Sequence, residues 1–337
     1  QGFLPHLMHT LYEERKIYKK KMLECKAQLK TLPETASNEE KTHLKKQIAK
    51  YHNFQLARKI QLNSAFGAIG NQYFRYYKLE NAEAITLSGQ VAIRWIENKM
   101  NAYLNKLLKT DGEDYVIASD TDSIYLNMGP LVETVYEGRE KTTEGVVSFL
   151  DKICKVELEK YIEGCYQELA EYMNAYDQKM QMKRENIADR GIWTAKKRYI
   201  LNVWDSEGVR YSEPKLKMMG IEAVKSSTPA PCRKMIKDGL KIMMSGTEDE
   251  VIRFIDKCLQ EFKSLPPEQI AFPRTASDIR KYSSNSGIYS KGTPIHVRGS
   301  LLFNHHIKEK KLTNKYSLIN NGEKVKYIFL KKPNIIQ

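Results

Sequence analysis

The stretch Tyr115–Leu126, YVIASDTDSIYL, decides how the rest of the chain reads. Tyr115–Ala118 and Ile124–Leu126 are apolar, strand-like runs around a polar centre, the pattern of a β-hairpin. Asp120, Thr121, Asp122 and Ser123 form that centre. A tight turn there brings two carboxylates close together at one edge of a sheet. Like charges that close resist ionisation unless a cation or strong donors stand nearby, and a divalent metal is the economical counterion. A solvated turn is the plain alternative, because Asp and Ser favour turns through local hydrogen bonds. A calcium-binding EF-hand loop is excluded: counted from Asp120, its Gly position holds Tyr125 and its closing Glu position holds Leu131.

The surroundings of this turn are basic. The chain has 337 residues, 41% apolar and 28% charged, with a formal net charge of +14. That length suggests about two domains with real cores, and that composition excludes a disordered chain. The charge is uneven: residues 1–110 carry +10, residues 111–185 carry −9 and residues 186–337 carry +13. Nucleic-acid backbones attract basic arms and metal ions attract acidic centres, although an ordinary basic protein with three solvated surfaces gives the same totals. No apolar run approaches the ~20 residues that span a bilayer, and the charged first twenty residues lack the apolar block of a signal peptide. Cys25, Cys154, Cys165, Cys232 and Cys258 include no C-x-x-C pair. Reduced thiols of a cytoplasmic protein fit better than a zinc site or a disulfide framework.

Upstream of the turn, residues 8–30 read as a basic helix. Thr31–Asn38 is a turn broken by Pro33, and Ser37 with Glu40 fits a capping box that opens a second helix from about Asn38 toward Phe66. Two such helices make an antiparallel hairpin. Arg15 and Lys19 are four apart and share a face; Lys59, Asn63, Phe66 and Gly67 share another. Cations at that spacing suit a triphosphate, Phe66 offers a flat surface to a base pair and Gly67 permits close backbone approach. A solvated basic helix with a core Phe is the plain alternative. Gly67 and Gly70 end this helix, and residues 80–109 and 145–174 read as further helices. Residues 192–204 and 209–218 read as strands, about 232–264 as a helix, and 265–337 as an irregular tail with short strands. His305 and His306, adjacent in that tail, point to opposite faces of a strand and are not expected to ligate jointly.

The motifs occur together and in order. Lys59-Ile60-Gln61-Leu62-Asn63-Ser64-Ala65-Phe66-Gly67 resembles the K-x-x-x-N-S-x-Y-G motif of family B DNA polymerases; Asp120–Ser123 matches that family's D-T-D-S turn, and Lys196-Lys197-Arg198-Tyr199 its K-K-R-Y segment. FRYY, KKRYILNVWD, EPKLKMMG and KSSTP resemble the corresponding strings of T-even-type phage members. The resemblance implies an α+β right hand: fingers helices at 1–66, most of the palm with its antiparallel sheet at 67–224 and part of the thumb at 225–337. It implies extension of a primer 3′ end by deoxynucleotides in phage DNA replication, in the cytoplasm of an infected bacterium, with two magnesium ions. By the same resemblance Asp122 and Asp120 are the metal ligands, and Arg15, Lys19, Lys59 and Asn63 hold the incoming deoxynucleoside triphosphate, with Lys59 placed to assist the leaving pyrophosphate. Phe66 and Gly67 pack against the nascent base pair, and Lys196, Lys197, Arg198 and Tyr199 grip the primer–template duplex.

Two departures from the family pattern shape the expectations. The upstream D-x-x-S-L-Y-P-S motif, which supplies the other metal-ligand Asp, is not found in these 337 residues. The resemblance therefore implies an N-terminal partner polypeptide carrying that motif, and little polymerase activity without it; a primer–template binding role without chemistry is the alternative. Phe66 replaces the usual Tyr, which keeps the ring and removes a hydroxyl. A nuclease built on the D-T-D turn is disfavoured by the lack of further clustered carboxylates, and a reverse transcriptase by the absence of Y-x-D-D.

Overall fold

A computed structural model describes residues 2–33, 35–284 and 287–329. Helices dominate, and three small sheets make the fold α+β, as expected. The chain divides into two units, Gln1–Asp189 with Val203–Lys215, and Arg190–Asn202 with Leu216–Gln337.

In the first unit, α1 (Phe3–Thr31) and α2 (Asn38–Ile69) form the expected hairpin. Ser37 caps α2: its hydroxyl accepts from the Glu40 amide and the Glu40 carboxylate accepts from the Ser37 amide, each at 3.1 Å. The helix runs three residues past Phe66, through Gly67, and Gly70 is its C-cap. A helical Gly costs only ~1 kcal/mol, so a single Gly does not stop a helix of this length. The two helices are stitched by Arg58, which donates to Glu14 at 2.9 Å and lies 5.0 Å from the Tyr18 ring, itself edge-on to Phe54.

α3 (Leu79–Leu108) buries Ala92, Ile96, Met100 and Leu104, a four-residue spacing that lays one stripe along one side. Ile85 and Leu107, apolar residues of the same helix, are about half exposed. The stripe packs on β1 (Val116–Asp120), β2 (Ser123–Leu126) and α6 (Glu159–Tyr172). Between them run α4 (Gly129–Val135) and α5 (Thr143–Ile153), and a π-helical segment, Cys154–Leu158, continues α5 into α6.

A second sheet has the order β3 (Asn186–Ala195), β4 (Arg198–Ser206), β5 (Val209–Met219). The single strand expected over 192–204 is two strands, because Lys196 and Lys197 turn the chain and Lys197 adopts φ +60°. In the second unit, α7 (Ala230–Ser245) and α8 (Glu248–Ser264) replace the one helix expected over 232–264. Gly246 ends the first, and Thr247 with Glu250 forms a capping box that starts the second. Its core joins Ile200, Ile221, Ala223 and Met244. The tail is less irregular than expected: α9 (Pro267–Ile270), β6 (Phe272–Ala276), α10 (Ile279–Tyr282) and α11 (Ile295–Glu309) precede β7 (Glu323–Tyr327), which pairs antiparallel with β6. His305 and His306 therefore sit on the last turns of a helix, not on a strand, and Glu309 lies 3.8 and 3.3 Å from their rings. Interspersed His and Asn residues hide the helical period of α11 in the sequence.

Candidate functional site

Asp120 pairs across the ladder with Ser123, so Thr121 and Asp122 alone make the β1–β2 link. Thr121 takes φ +57°, the left-handed conformation that lets a two-residue link follow the twist of its strands. The Asp120 carbonyl accepts from the Asp122 amide at 2.6 Å and from the Ser123 hydroxyl at 3.2 Å. The Thr121 hydroxyl donates to the Asp120 carboxylate at 3.0 Å. Asp120 is half-buried in its own turn and Asp122 is exposed.

The other end of the hairpin, where the chain enters β1, is held by residues that sequence reading missed. On α3, the Asn101 side-chain oxygen accepts from the Tyr115 and Val116 amides, each at 2.9 Å, and its nitrogen donates to Asp114 at 2.7 Å. Asn105, one helical turn on, accepts from the Glu113 amide at 3.0 Å and donates to the Glu113 carbonyl at 2.7 Å. Each lies next to a buried apolar residue, Met100 or Leu104, and that repeated polar neighbour was the available signal. Tyr166 of α6 is buried beneath; burial first, and the Asp122 charge second, push its hydroxyl pKa up. Tyr166 thus stays a neutral phenol within the field of Asp122.

On the helical hairpin, Lys59, Asn63, Phe66 and Gly67 are all exposed along one side of α2, as their spacing requires. Phe66 is 41% exposed, which sets aside the core-Phe alternative. A Cβ placed on Gly67 meets nothing within 4 Å, so the helix surface is open there. Arg15 and Lys19 are half-buried on α1. Among the described residues Arg15 and Lys59 form no ion pair, and the Arg15 Nε is enclosed without a hydrogen bond. Lys19 differs, because the Glu207 carboxylate holds it.

Glu207 sits at the β4–β5 link, which an ion cluster fixes. Arg184, nearly buried, bonds to both Asp151 and Asp205, and Asp205 also accepts from Arg210 at 3.2 Å and from the Gly208 amide at 3.0 Å. Lys155 and Arg184 pull the Asp151 pKa down against its partial burial. In the sequence Asp205 lies at a break between two strand-like runs, and its bond to Arg184, 21 residues away, is not visible there.

Lys196, Lys197, Arg198 and Tyr199 lie in the second unit, at the β3–β4 turn. Lys196 and Lys197 are exposed at its tip. Arg198 bonds to Glu222 at 2.5 Å and, with Lys225 at 3.1 Å, pulls the Glu222 pKa down to about 2. Tyr199 is buried against Trp193, ring centres 6.3 Å apart, so it anchors the turn from inside. Gly220 is required beside it: at φ +66°, its added Cβ would stand 2.2 Å from the Lys197 carbonyl.

No group of three His, Cys, Asp or Glu suited to a metal occurs among the described residues. Magnesium does not need one: it keeps waters and takes one or two carboxylates together with substrate phosphates. Asp120 and Asp122 fit one such ion through hard oxygen donors at an exposed edge. They do not fit a pair of ions without another carboxylate.

Comparison with known proteins agrees with this layout. The profile of DNA polymerase family B matches residues 1–163, from the α1–α2 hairpin through the carboxylate turn into α6. The chain is 42% identical over 262 residues to the DNA-directed DNA polymerase of Escherichia phage RB69, covering 75% of this chain and 29% of that protein. It is 40% identical over 257 residues to that of Enterobacteria phage T4, covering 74% and 28%. A more distant relative is DNA polymerase 1 of Pyrococcus abyssi, 26% identical over 273 residues, covering 80% of this chain and 28% of the relative. The chain thus spans less than a third of the length of these relatives. On the strength of the profile match and of the two phage relatives at 40% identity or more over about three quarters of its length, the chain belongs to DNA polymerase family B.

Proposed function

We propose that this chain supplies the fingers (1–66), most of the palm (67–224) and part of the thumb (225–337) of a right-handed, template-directed DNA polymerase of phage DNA replication. The observation that carries the reading is the exposed Asp122 at the tip of a rigidly seated hairpin, beside a half-buried Asp120. The reaction joins the primer 3′-oxygen to the α-phosphorus of a deoxynucleoside triphosphate, breaks the α–β bridge and releases pyrophosphate. Magnesium, when bound, neutralises the attacking and leaving oxygens.

The chain's own residues do the rest. Asp122 and Asp120 offer hard oxygens to the cations. Arg15, Lys19, Lys59 and Asn63 neutralise and orient the phosphates; Lys59, a compact point charge with no ion-pair partner among the described residues, sits where the leaving pyrophosphate gathers charge. Phe66 and Gly67 present a flat, open surface to the new base pair. Lys196, Lys197 and Arg198 meet duplex phosphates, and Tyr199 holds their turn from beneath.

Two carboxylates suit one magnesium, so the reading includes a further carboxylate from polypeptide outside these 337 residues, carrying the D-x-x-S-L-Y-P-S motif. The chain alone is then inactive. Primer extension with magnesium and four deoxynucleotides tests this. Extension by the chain mixed with such a polypeptide, absent with either alone, supports it. Tight binding of primed DNA with no extension in any mixture replaces it with a primer–template binding role.

A further inference from the structure

Lys19 is spoken for in this structure, and the contact has a particular form. It pairs with Glu207 at the β4–β5 link, 188 residues away in sequence. Lys30, eleven residues on, lies on the same side of α1, since eleven residues return a helix to within about 20° of its starting direction. Lys30 also meets the β4–β5 hairpin, but its partners are neutral: the Arg210 carbonyl at 3.0 Å and the Tyr211 ring at 3.7 Å. One stripe of α1 is therefore tied to one hairpin twice, once through an anion and once through a dipole and a π face.

The two ties respond differently to a phosphate. A carboxylate and a phosphate compete for the same ammonium, because each neutralises it and accepts its hydrogens. A carbonyl and a ring face do not carry the charge that a phosphate would displace. The Glu207 backbone cannot follow a departing lysine, since Asp205, two residues before it, is locked by Arg184 and Arg210, and the Glu207 amide donates to the Glu185 carbonyl at 2.6 Å.

We propose that Glu207 is a competitor for the nucleotide-binding lysine: the Lys19–Glu207 pair latches helix α1 to the β4–β5 link, a triphosphate opens the latch by taking Lys19, and the Lys30 contact keeps the helix attached. This rests on the triphosphate role assigned to Lys19 above. Glu207 is a positioning residue here, acting through Lys19 and setting how much binding energy the nucleotide must spend on release.

The test uses the 337-residue chain with magnesium and a deoxynucleoside triphosphate, then inorganic triphosphate, by titration calorimetry. Glu207→Gln keeps shape and removes the competing charge; it is expected to tighten triphosphate binding about two- to five-fold, the range of a partly exposed ion pair. Lys19→Met is expected to weaken binding, and adding Glu207→Gln to it to change nothing more. Near-equal affinity of wild type and Glu207→Gln, with Lys19→Met still weaker, overturns the latch and leaves the triphosphate role standing. No effect of Lys19→Met in either background, or no binding by any variant, overturns that role and the latch with it. Glu207→Ala repeats the first comparison without a side-chain amide, and a tightening seen only with Gln also overturns the latch.

Discussion

Two β-turns in the first unit each carry an aspartate, and they differ in where the counter-charge comes from. At the β4–β5 link, Asp205 is almost fully buried and the chain itself supplies Arg184 and Arg210. At the β1–β2 link, Asp122 is exposed and, among the described residues, forms no ion pair. A buried carboxylate must be neutralised by the fold, because an uncompensated charge in a low dielectric is prohibitively costly. An exposed carboxylate at a seated turn can wait for a cation from solution. On the proposed function, the same residue type serves architecture in one turn and chemistry in the other.

Asp205→Ala leaves the nearly buried Arg184 with Asp151 as its one remaining carboxylate, and is expected to cost about 3–5 kcal/mol in denaturant unfolding. Asp122→Asn, by contrast, is expected to leave the unfolding midpoint within about 0.5 kcal/mol of wild type, as for an exposed surface change. A large loss in Asp122→Asn would show that its charge is structural after all.

Removing the whole buried set sharpens the contrast. Arg184→Met with Asp205→Leu and Asp151→Leu is expected to be less damaging than Asp205→Ala alone, since the nearly buried Arg184 charge is gone and the cations left over, Arg210 and Lys155, reach solvent. The measurement is again denaturant unfolding of the variants side by side.

Acid offers a milder probe. Asp151 titrates below its ordinary value in the folded chain, so its contribution is complete above the unfolded carboxylate pKa and is lost as pH falls through the lower folded value. Thermal unfolding followed from pH 5 down to pH 2 is expected to lose stability faster in wild type than in Asp151→Asn. Glu222, pulled down to about 2 by Arg198 and Lys225, acts in the same direction over the same window.

The smallest expected effects lie at the exposed cations Lys196 and Lys197. Lys196→Ala and Lys197→Ala are each expected to lower the salt dependence of primed-DNA binding by about one unit of slope. Phe66→Tyr restores a hydroxyl and is expected to shift discrimination between matched and mismatched nucleotides by about 0.5–1.5 kcal/mol.

These differences explain what the sequence disclosed. Local signals worked: the Ser37–Glu40 capping box, the α1–α2 hairpin and the β1–β2 turn follow from residues within a few positions of one another. Tight reversals inside apolar runs did not announce themselves, so Lys196-Lys197 and Gly246-Thr247 divided elements that read as continuous. The exposed side of α2 was legible from helical spacing. The supports of the site were not: Asn101 reaches the start of β1 across the α3–β1 connection, Tyr166 comes from α6, and Lys19 meets Glu207 from 188 residues away. Contacts of that range are products of tertiary packing, and no window of sequence contains both partners.

On the proposed function, Asp122 is a chemical residue held by a structural frame. Primer extension by the chain together with a polypeptide bearing the D-x-x-S-L-Y-P-S motif, with Asp122→Asn in parallel, tests it most directly. Magnesium-dependent extension is expected to fall at least about a hundred-fold in Asp122→Asn, an effect of the size expected when a transition-state charge partner is lost, while the variant folds and binds primed DNA as wild type does. Undiminished extension by a folded Asp122→Asn would contradict it.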